Sequence, residues 1–311
     1  MIKRLIYCLI LAAFFNVGNV CAQQFTVASY NIRYDNKSDS ITGNSWKSRC
    51  PVITKLIRYN DFEIFGAQEV LNHQLKDMLK EMPEYSYIGV GRDDGKEKGE
   101  YAPVFFKKER FKVLKSGQFW LSAITDRPNK GWDAVLPRIC TWGRFQDLNS
   151  KLTFWFFNLH MDHVGVEARK NSATLALNKI KEMCKGEPVI LTGDFNVDQT
   201  HENYQILNGS GIVKDAYETS NIRYAVNGTI NNFNPNLKTD SRIDHIFVSN
   251  NLQVERYGIL TDTYRSEVNE SKIIKSGNFP KEISLHEYQA RIPSDHFPVK
   301  VVVKYVRAVK R

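Results

Sequence analysis

Cysteine is scarce in this 311-residue chain, with five in all, and two of them, Cys8 and Cys21, lie in the first 22 residues. The other three, Cys50, Cys140 and Cys184, form an odd and widely spaced set. That excludes a disulfide-stapled scaffold and offers no zinc-ligand spacing. At most one bridge forms, and three buried small side chains is the simpler expectation. Beyond the N-terminus no apolar run approaches the roughly 20 residues that a membrane helix needs. No glycine-rich Walker loop is present, which disfavours a nucleotide-triphosphate motor, and no Gly-x-Ser-x-Gly elbow, which argues against an ordinary esterase. Internal repeats and low-complexity tracts are absent. So is a dense Lys/Arg stripe interleaved with aromatics, of the kind that tracks a nucleic-acid backbone.

What is there begins with an address. Lys3 and Arg4 form a basic start, residues 5–17 an apolar run, and Val20-Cys21-Ala22 puts small residues where a signal peptidase reads. Cleavage before Gln23 is predicted, leaving one catalytic domain over residues 23–311, periplasmic or extracellular. A lipoprotein anchored through Cys21 is the alternative, disfavoured because Val20 suits a lipidated cysteine poorly. The formal charge of +9 falls to +7 once Lys3 and Arg4 are removed. That is compatible with an anionic substrate but identifies none. With 12% aromatic residues the chain can build a substantial core.

Periodicity then places the elements. Residues 24–32 read as a strand, 46–59 as a helix with Pro51 near its first turn, 61–68 as an apolar strand, and 72–82 as a helix. Several short strands are predicted between residues 85 and 146. The nearly all-apolar KLTFWFFNLH at 151–160 suits a strand buried on both faces, and 166–185 has helical spacing. Residues 187–194, 241–249 and 298–306 supply further strands, while 91–99 and 227–239 are loops. Strands and helices interspersed throughout imply a layered α/β fold.

Polar residues gather where the buried strands end: Asn31, Glu69, His160, Asp162, Asp194, Asn196, Asp244, Asp295 and His296. One carboxylate at a strand end is usually a turn former or a cap. About nine such groups aimed at one rim are harder to dismiss. Carboxylates and amides with few sulfur or clustered imidazole ligands suit a hard cation such as Mg²⁺ or Mn²⁺. Two histidines suit proton transfer or phosphate contact.

At these residues the chain resembles the endonuclease/exonuclease/phosphatase superfamily, whose members include pancreatic-type deoxyribonucleases, abasic-site endonucleases, inositol-polyphosphate 5-phosphatases and bacterial sphingomyelinases. The matching stretches are Ser29-Tyr30-Asn31-Ile32-Arg33, Gln68-Glu69, Asn158-Leu159-His160, Gly193-Asp194-Phe195-Asn196, Arg242-Ile243-Asp244 and Ser294-Asp295-His296-Phe297-Pro298-Val299, in the family's order. The resemblance implies a four-layer sandwich of two packed mixed β-sheets flanked by helices. It implies a metal site on Glu69 with Asn31 and Asp295. Asp194 and Asn196 would position water and phosphate, His296 would act as base or phosphate contact with Asp244 fixing its tautomer, and His160 would stabilise phosphoryl oxygens. It leaves open whether Asp194 or His296 takes the proton, and whether one metal ion or two are held. Segments around Arg92, Glu100 and Gly131-Trp132-Asp133 are similar to secreted bacterial members. They mark Arg92, Glu100, Arg138 and Asp162 as candidate substrate contacts, and His163 stands beside Asp162 in the same status.

The function expected is an exported, divalent-metal-dependent hydrolase of a phosphate mono- or diester. Its substrate would be a phosphorylated small molecule, lipid head group or sugar phosphate, and no protein partner is implied. A secreted endonuclease is the second enzyme reading. A catalytically inactive binding protein on the same scaffold is the third, and the intact Glu69, Asp194, Asn196, Asp295 and His296 discriminate against it.

Overall fold

The first strand is buried on both faces, and the two faces meet different cores. Phe25 and Val27 enter one apolar cluster, Ala28 and Tyr30 another, following the period of two that pleating imposes. A strand with apolar neighbours on both sides belongs to an inner layer. The computed structural model describes residues 24–268, 272–275 and 277–306. The signal peptide expected at 1–22 lies outside them.

Along the chain run β1 (Gln24–Asn31), α1 (Lys37–Ile41), α2 (Trp46–Tyr59), β2 (Ile64–Gln68), α3 (Asn72–Glu81), β3 (Tyr85–Ile88), β4 (Val104–Lys107), β5 (Phe111–Trp120) and β6 (Ile139–Asp147). Then come β7 (Thr153–His160), α4 (Val166–Cys184), β8 (Val189–Asp194), α5 (Glu202–Asn208), β9 (Lys214–Asp215), α6 (Ala216–Thr219), β10 (Ile222–Tyr224), β11 (Asp244–Val248) and β12 (Leu252–Ile259). Four short strands follow, β13 (Tyr264–Ser266), β14 (Ile273–Ile274), β15 (Leu285–His286) and β16 (Gln289–Arg291), before β17 (Val299–Tyr305). The stretch expected to hold only short strands contains two long ones, β5 and β6, paired antiparallel.

Two mixed sheets pack face to face. One has the order β10-β12-β17-β1-β2-β4-β3 and the other β5-β6-β7-β8-β11-β9. Between them lie Phe25, Val27 and Val301 from the first sheet against Phe154, Phe156 and Ile190 from the second. Each fully buried side chain of this size contributes about 1.5–3 kcal/mol through apolar burial. Helices α2 and α3 cover the outer face of the first sheet through Ile53, Ile57, Leu75 and Met78. Helices α4 and α5 cover the second through Ala176, Leu177, Ile180 and Leu207. This is the four-layer α/β sandwich the sequence pointed to. Cys50, Cys140 and Cys184 are free and buried, and no helix among the described residues is long and apolar enough to cross a membrane.

One polar bolt crosses the inner core just below the rim. Asn158 on β7 accepts from Gln68 Nε2 (2.7 Å) and Thr192 Oγ1 (3.0 Å), and its Nδ2 donates to the Ala67 and Pro103 carbonyls (2.7 and 3.0 Å). All of its bonding capacity as a buried amide is met. The close approach requires Gly66, where a Cβ would stand 2.2 Å from Asn158 Oδ1. The bolt fixes the distance between the two sheets at the end where the polar residues emerge.

Candidate active site

Register gathers the rim. In the parallel pair β1/β2, Asn31 stands level with Gln68, so Glu69 follows at the edge. In the parallel pair β7/β8, His160 stands level with Asp194, and across to β11 Asp194 faces Asp244. Both parallel pairs therefore deliver their C-terminal ends to one place. Asn31 joins the sheets there, its Nδ2 donating to Glu69 Oε1 and to Asp194 Oδ2, each at 3.0 Å. Asp295 and His296 arrive on the segment before β17. Arg49, fully buried on α2, anchors that segment by donating to the carbonyls of Ile32 (2.6 Å) and Pro293 (3.1 Å).

The rim encloses a cavity of about 430 Å³. Of the residues expected at a site, Glu69, Glu100, Arg138, His160, His163, Asp194, Asn196, Asp295 and His296 line it. The other four stand behind the wall. Asn31 bridges two carboxylates, and Asp244 Oδ2 holds His296 Nδ1 at 2.8 Å. Arg92 makes a two-pronged pair with Glu100, both distances 2.8 Å. Asp162 accepts from the Val164 and Gly165 N–H groups and from Arg138 Nε (3.3 Å). Asp133 caps α4 by accepting from the Ala168 and Glu167 N–H groups. Three lining residues, Arg33, Glu69 and Asn196, have φ values of +59°, +61° and +49°. Left-handed backbone at side chains other than glycine costs about 1–2 kcal/mol each and collects at working sites.

Electrostatics separates the two histidines. For His296, burial opposes the charge, but Asp244 in contact and Asp194 and Asp295 nearby outweigh it, holding the ring well above the ordinary imidazole value. For His160, burial holds the ring well below that value, and Arg138 and Arg92 push the same way. Glu100 and Asp194 lie 3.7 and 3.6 Å from its nitrogens, too far for strong hydrogen bonds, and its buried Nδ1 has no partner. Burial pushes Asp194 up to about 7, with Asp244 adding to the rise. Burial also raises Asp295, opposed by His296. Buried carboxylates are thus packed with less positive charge than they need.

Ligand atoms of Glu69, His160 and Asp194 all lie within 4.8 Å of one another. Such a set, mostly carboxylate oxygen around a surplus of negative charge, fits a hard divalent cation. Asp194, Asp244 and His296 form a second group of the same tightness, in which Asp244 engages His296 Nδ1 at 2.8 Å and leaves Nε2 on the cavity side, 3.9 Å from Asp194.

Residues 28–296, from β1 to His296, match the family model described as Endonuclease/Exonuclease/phosphatase family. The chain belongs to this family. Its members include a mannosyl-6-phosphatase of Bacteroides thetaiotaomicron, to which this chain is 53% identical with a TM-score of 0.84, covering 90% of this chain and 100% of that one. A second B. thetaiotaomicron structure, an endonuclease/exonuclease/phosphatase family protein, is 52% identical at a TM-score of 0.85, over 92% and 99% of the two chains. A Bacteroides vulgatus member is 37% identical at 0.78, over 91% and 99%. Family membership makes a hydrolase acting on phosphate esters the class to which this site belongs.

The sequence assigned no role to Arg33, Tyr34, Leu136, Ile230 or Ile243, which also line the cavity. Arg33 was within reach, as the residue that closes the SYNIR motif, and its Nη1 lies 3.4 Å from Asp295 Oδ2. His163, marked together with Asp162, lines the cavity 2.9 Å from Arg138 Nη2. Leu136 and Ile230 sit in loops whose path depends on the whole fold, and no local signal marks them.

Proposed function

We propose that this chain is an exported, divalent-metal-dependent phosphatase that releases inorganic phosphate from a phosphorylated sugar. The observation that carries this is a cavity lined by charge of both signs, the carboxylates of Glu69, Asp194 and Asp295 together with the Arg138 guanidinium, which has His163 2.9 Å from it. Arg138 Nη1 is buried with no partner, and an unmet guanidinium donor is what a phosphoryl oxygen satisfies best. The 53% identical mannosyl-6-phosphatase supports the sugar phosphate. The basic start and apolar run of residues 1–22 support export.

Glu69 and Asp295 would hold Mg²⁺ or Mn²⁺, with Asn31 orienting Glu69 through its amide and Asp194 left free of the ion. A bound dication supplies Lewis-acid charge to the phosphoryl oxygens. The rest falls to the chain itself. Asn31 Nδ2 and the Asn196 N–H (2.9 Å) fix both oxygens of Asp194. Raised toward neutrality, this carboxylate is suited to take a proton from the attacking water. His296, kept protonated by Asp244, holds positive charge beside the developing phosphoryl charge. His160, kept neutral by burial, offers a hydrogen bond without competing for the proton. The water oxygen bonds to phosphorus as its proton passes to Asp194, the bond from phosphorus to the sugar oxygen breaks, and that proton, released again by Asp194, ends on the sugar oxygen as its hydroxyl.

The test follows phosphate release from mannose 6-phosphate, p-nitrophenol release from bis-p-nitrophenyl phosphate and nicking of plasmid DNA, each with Mg²⁺ and with EDTA. Turnover is expected on the monoester, and only with metal. Cleavage confined to the diester or the DNA would overturn the sugar-phosphatase reading and favour the nuclease.

A further inference from the structure

The catalytic cavity has a larger neighbour. A cleft of about 730 Å³ opens between residues 38–44, the 232–236 loop and β16. One ion pair separates the two. Arg33 lines the catalytic cavity, and its Nε donates at 2.8 Å to Asp39 Oδ2, which lines the cleft. The loop spans both as well: Ile230 faces the cavity and Asn232 the cleft, while the Asn231 and Asn232 N–H groups donate to the Asp295 carbonyl (2.8 and 3.3 Å).

The lining has a definite chemistry. Asn232, Asn234, Asn236 and Gln289 present carboxamides, Thr42 a hydroxyl, and Phe233 an aromatic ring, the one among the described lining residues. Asp39 is paired to Arg33. Arg291, the one cation among the described lining residues, donates to Ser266 Oγ, the Thr42 carbonyl, Asn44 Oδ1 and Gln289 Oε1, all neutral acceptors at 2.8–3.1 Å. It is a strut rather than a phosphate clamp. Asn234 Oδ1 accepts from the Asn236 N–H (2.9 Å) and Gln289 Oε1 from Arg291 (3.0 Å), which leaves their amide N–H groups, with the carboxamides of Asn232 and Asn236, to meet sugar hydroxyls, each both donor and acceptor. A single ring provides a plate for the C–H face of a pyranose. Nucleic acid would call for several stacking rings and a run of cations, and a lipid tail for an apolar lining.

The ring is also held in place. Asn232 and Phe233 are consecutive left-handed residues, φ +53° and +56°, a conformation that persists only where its surroundings enforce it. Phe233 N–H donates to Asn231 Oδ1 at 2.8 Å, and the ring packs 5.5 Å from the Arg49 guanidinium. Preorganisation of this kind lowers the ordering cost of binding.

We propose that this cleft binds the neutral sugar residues of a phosphorylated oligosaccharide whose phosphate occupies the catalytic cavity. The proposal rests on the sugar-phosphatase reading and extends it from a monosaccharide to a chain. Two measurements on the full protein test it. In the first, kcat/KM is compared for mannose 6-phosphate and for mannotriose carrying one terminal 6-phosphate, in wild type, Phe233→Ala and Asn234→Ala. The trisaccharide should be favoured at least about ten-fold in wild type, and both variants should erase that preference while leaving mannose 6-phosphate turnover unchanged. Asn234 is exposed, so its variant remains informative if Phe233→Ala misfolds. In the second, unphosphorylated mannotriose is titrated calorimetrically into wild type and both variants. Binding that both variants abolish supports the cleft even if no sugar phosphate is hydrolysed, an outcome that would sink the phosphatase reading alone. Equal kcat/KM for the two substrates, or no heat from mannotriose, would overturn the proposal.

Discussion

Two buried imidazole–carboxylate pairs meet at adjacent residues of β11. Asp244 and His245 project to opposite faces of the strand, as pleating requires. Asp244 reaches His296 Nδ1 at 2.8 Å, while the other ring nitrogen of His296 faces the cavity, 3.9 Å from Asp194. His245 reaches Asp215 Oδ2 at 3.2 Å, and its second nitrogen is taken by the Val197 carbonyl at 3.1 Å. Both pairs are deeply buried. The first has a nitrogen left over for chemistry, and the second has none. An Asp–His contact is therefore not in itself a site; a site needs the far nitrogen aimed at an open, charge-bearing space. In the sealed pair the same chemistry fastens the loop after β8 to the back of the second sheet, with Tyr204 Oη also donating to Asp215 at 2.8 Å.

The difference can be broken experimentally, and the largest effect should come from metal withdrawal. Only the open pair looks onto the carboxylates of Glu69, Asp194 and Asp295. EDTA should lower turnover by about 10³-fold or more, because a cation at a phosphoryl centre is worth several kcal/mol. Glu69→Gln should raise the Mg²⁺ concentration needed for half activity. Circular dichroism should show the sealed pair's surroundings unchanged in both cases. Full turnover in EDTA would remove the cation from the account.

A smaller effect sharpens the open pair. Asp244→Asn keeps the hydrogen bond to His296 but removes the charge that holds the ring protonated. A loss of roughly ten-fold in kcat is expected, less than the 10² or more usual for removing the acting group itself. The double variant Asp244→Asn/His296→Ala should be scarcely worse than His296→Ala, since groups that act as a unit are not additive. Multiplicative losses would dissolve the pair.

The smallest effect belongs to the sealed pair and appears in stability alone. Burial would raise Asp215, but His245 and Arg242 overcome it and hold the carboxyl below its ordinary value of 3.8. A depressed carboxylate adds stability above its unfolded value, and that stability is lost as pH falls through the folded one. Below about pH 4 the wild-type unfolding midpoint should therefore drop more steeply than that of Asp215→Asn. Identical slopes would show that the pair stores no pH-dependent stability.

How much of this was legible beforehand follows from how local each signal is. Central strands announce themselves by apolar runs, so β1, β2, β7 and β8 and the polar residues ending them could be read directly. Strand β12 escaped because a bulge between Val254 and Arg256 shifts its alternation by one residue and breaks the period that reveals a strand. Asp244 could be chosen because a family motif surrounds it, while its neighbour His245 looked like one more polar residue. Its partners, Asp215 and the Val197 carbonyl, lie 30 and 48 positions away, and no periodicity connects them. Arg49 reads from sequence as an ordinary helix-surface cation. Its burial under four backbone carbonyls, at Asn44, Ile32, Pro293 and Arg33, emerges only when the rim is assembled.

The most direct test sets the two histidines side by side, with kcat on mannose 6-phosphate and unfolding free energy measured for His296→Ala and His245→Ala. His296→Ala should lose about 10²-fold or more in kcat and stay within about 1 kcal/mol in stability, since water entering the cavity can replace the bond to Asp244. His245→Ala should lose about 3–5 kcal/mol, the cost of stripping a buried carboxylate of its partner, and keep kcat within about ten-fold wherever it is folded. Near-wild-type turnover in folded His296→Ala, or a collapse of kcat in folded His245→Ala, would contradict the assignment of chemistry to one pair and structure to the other.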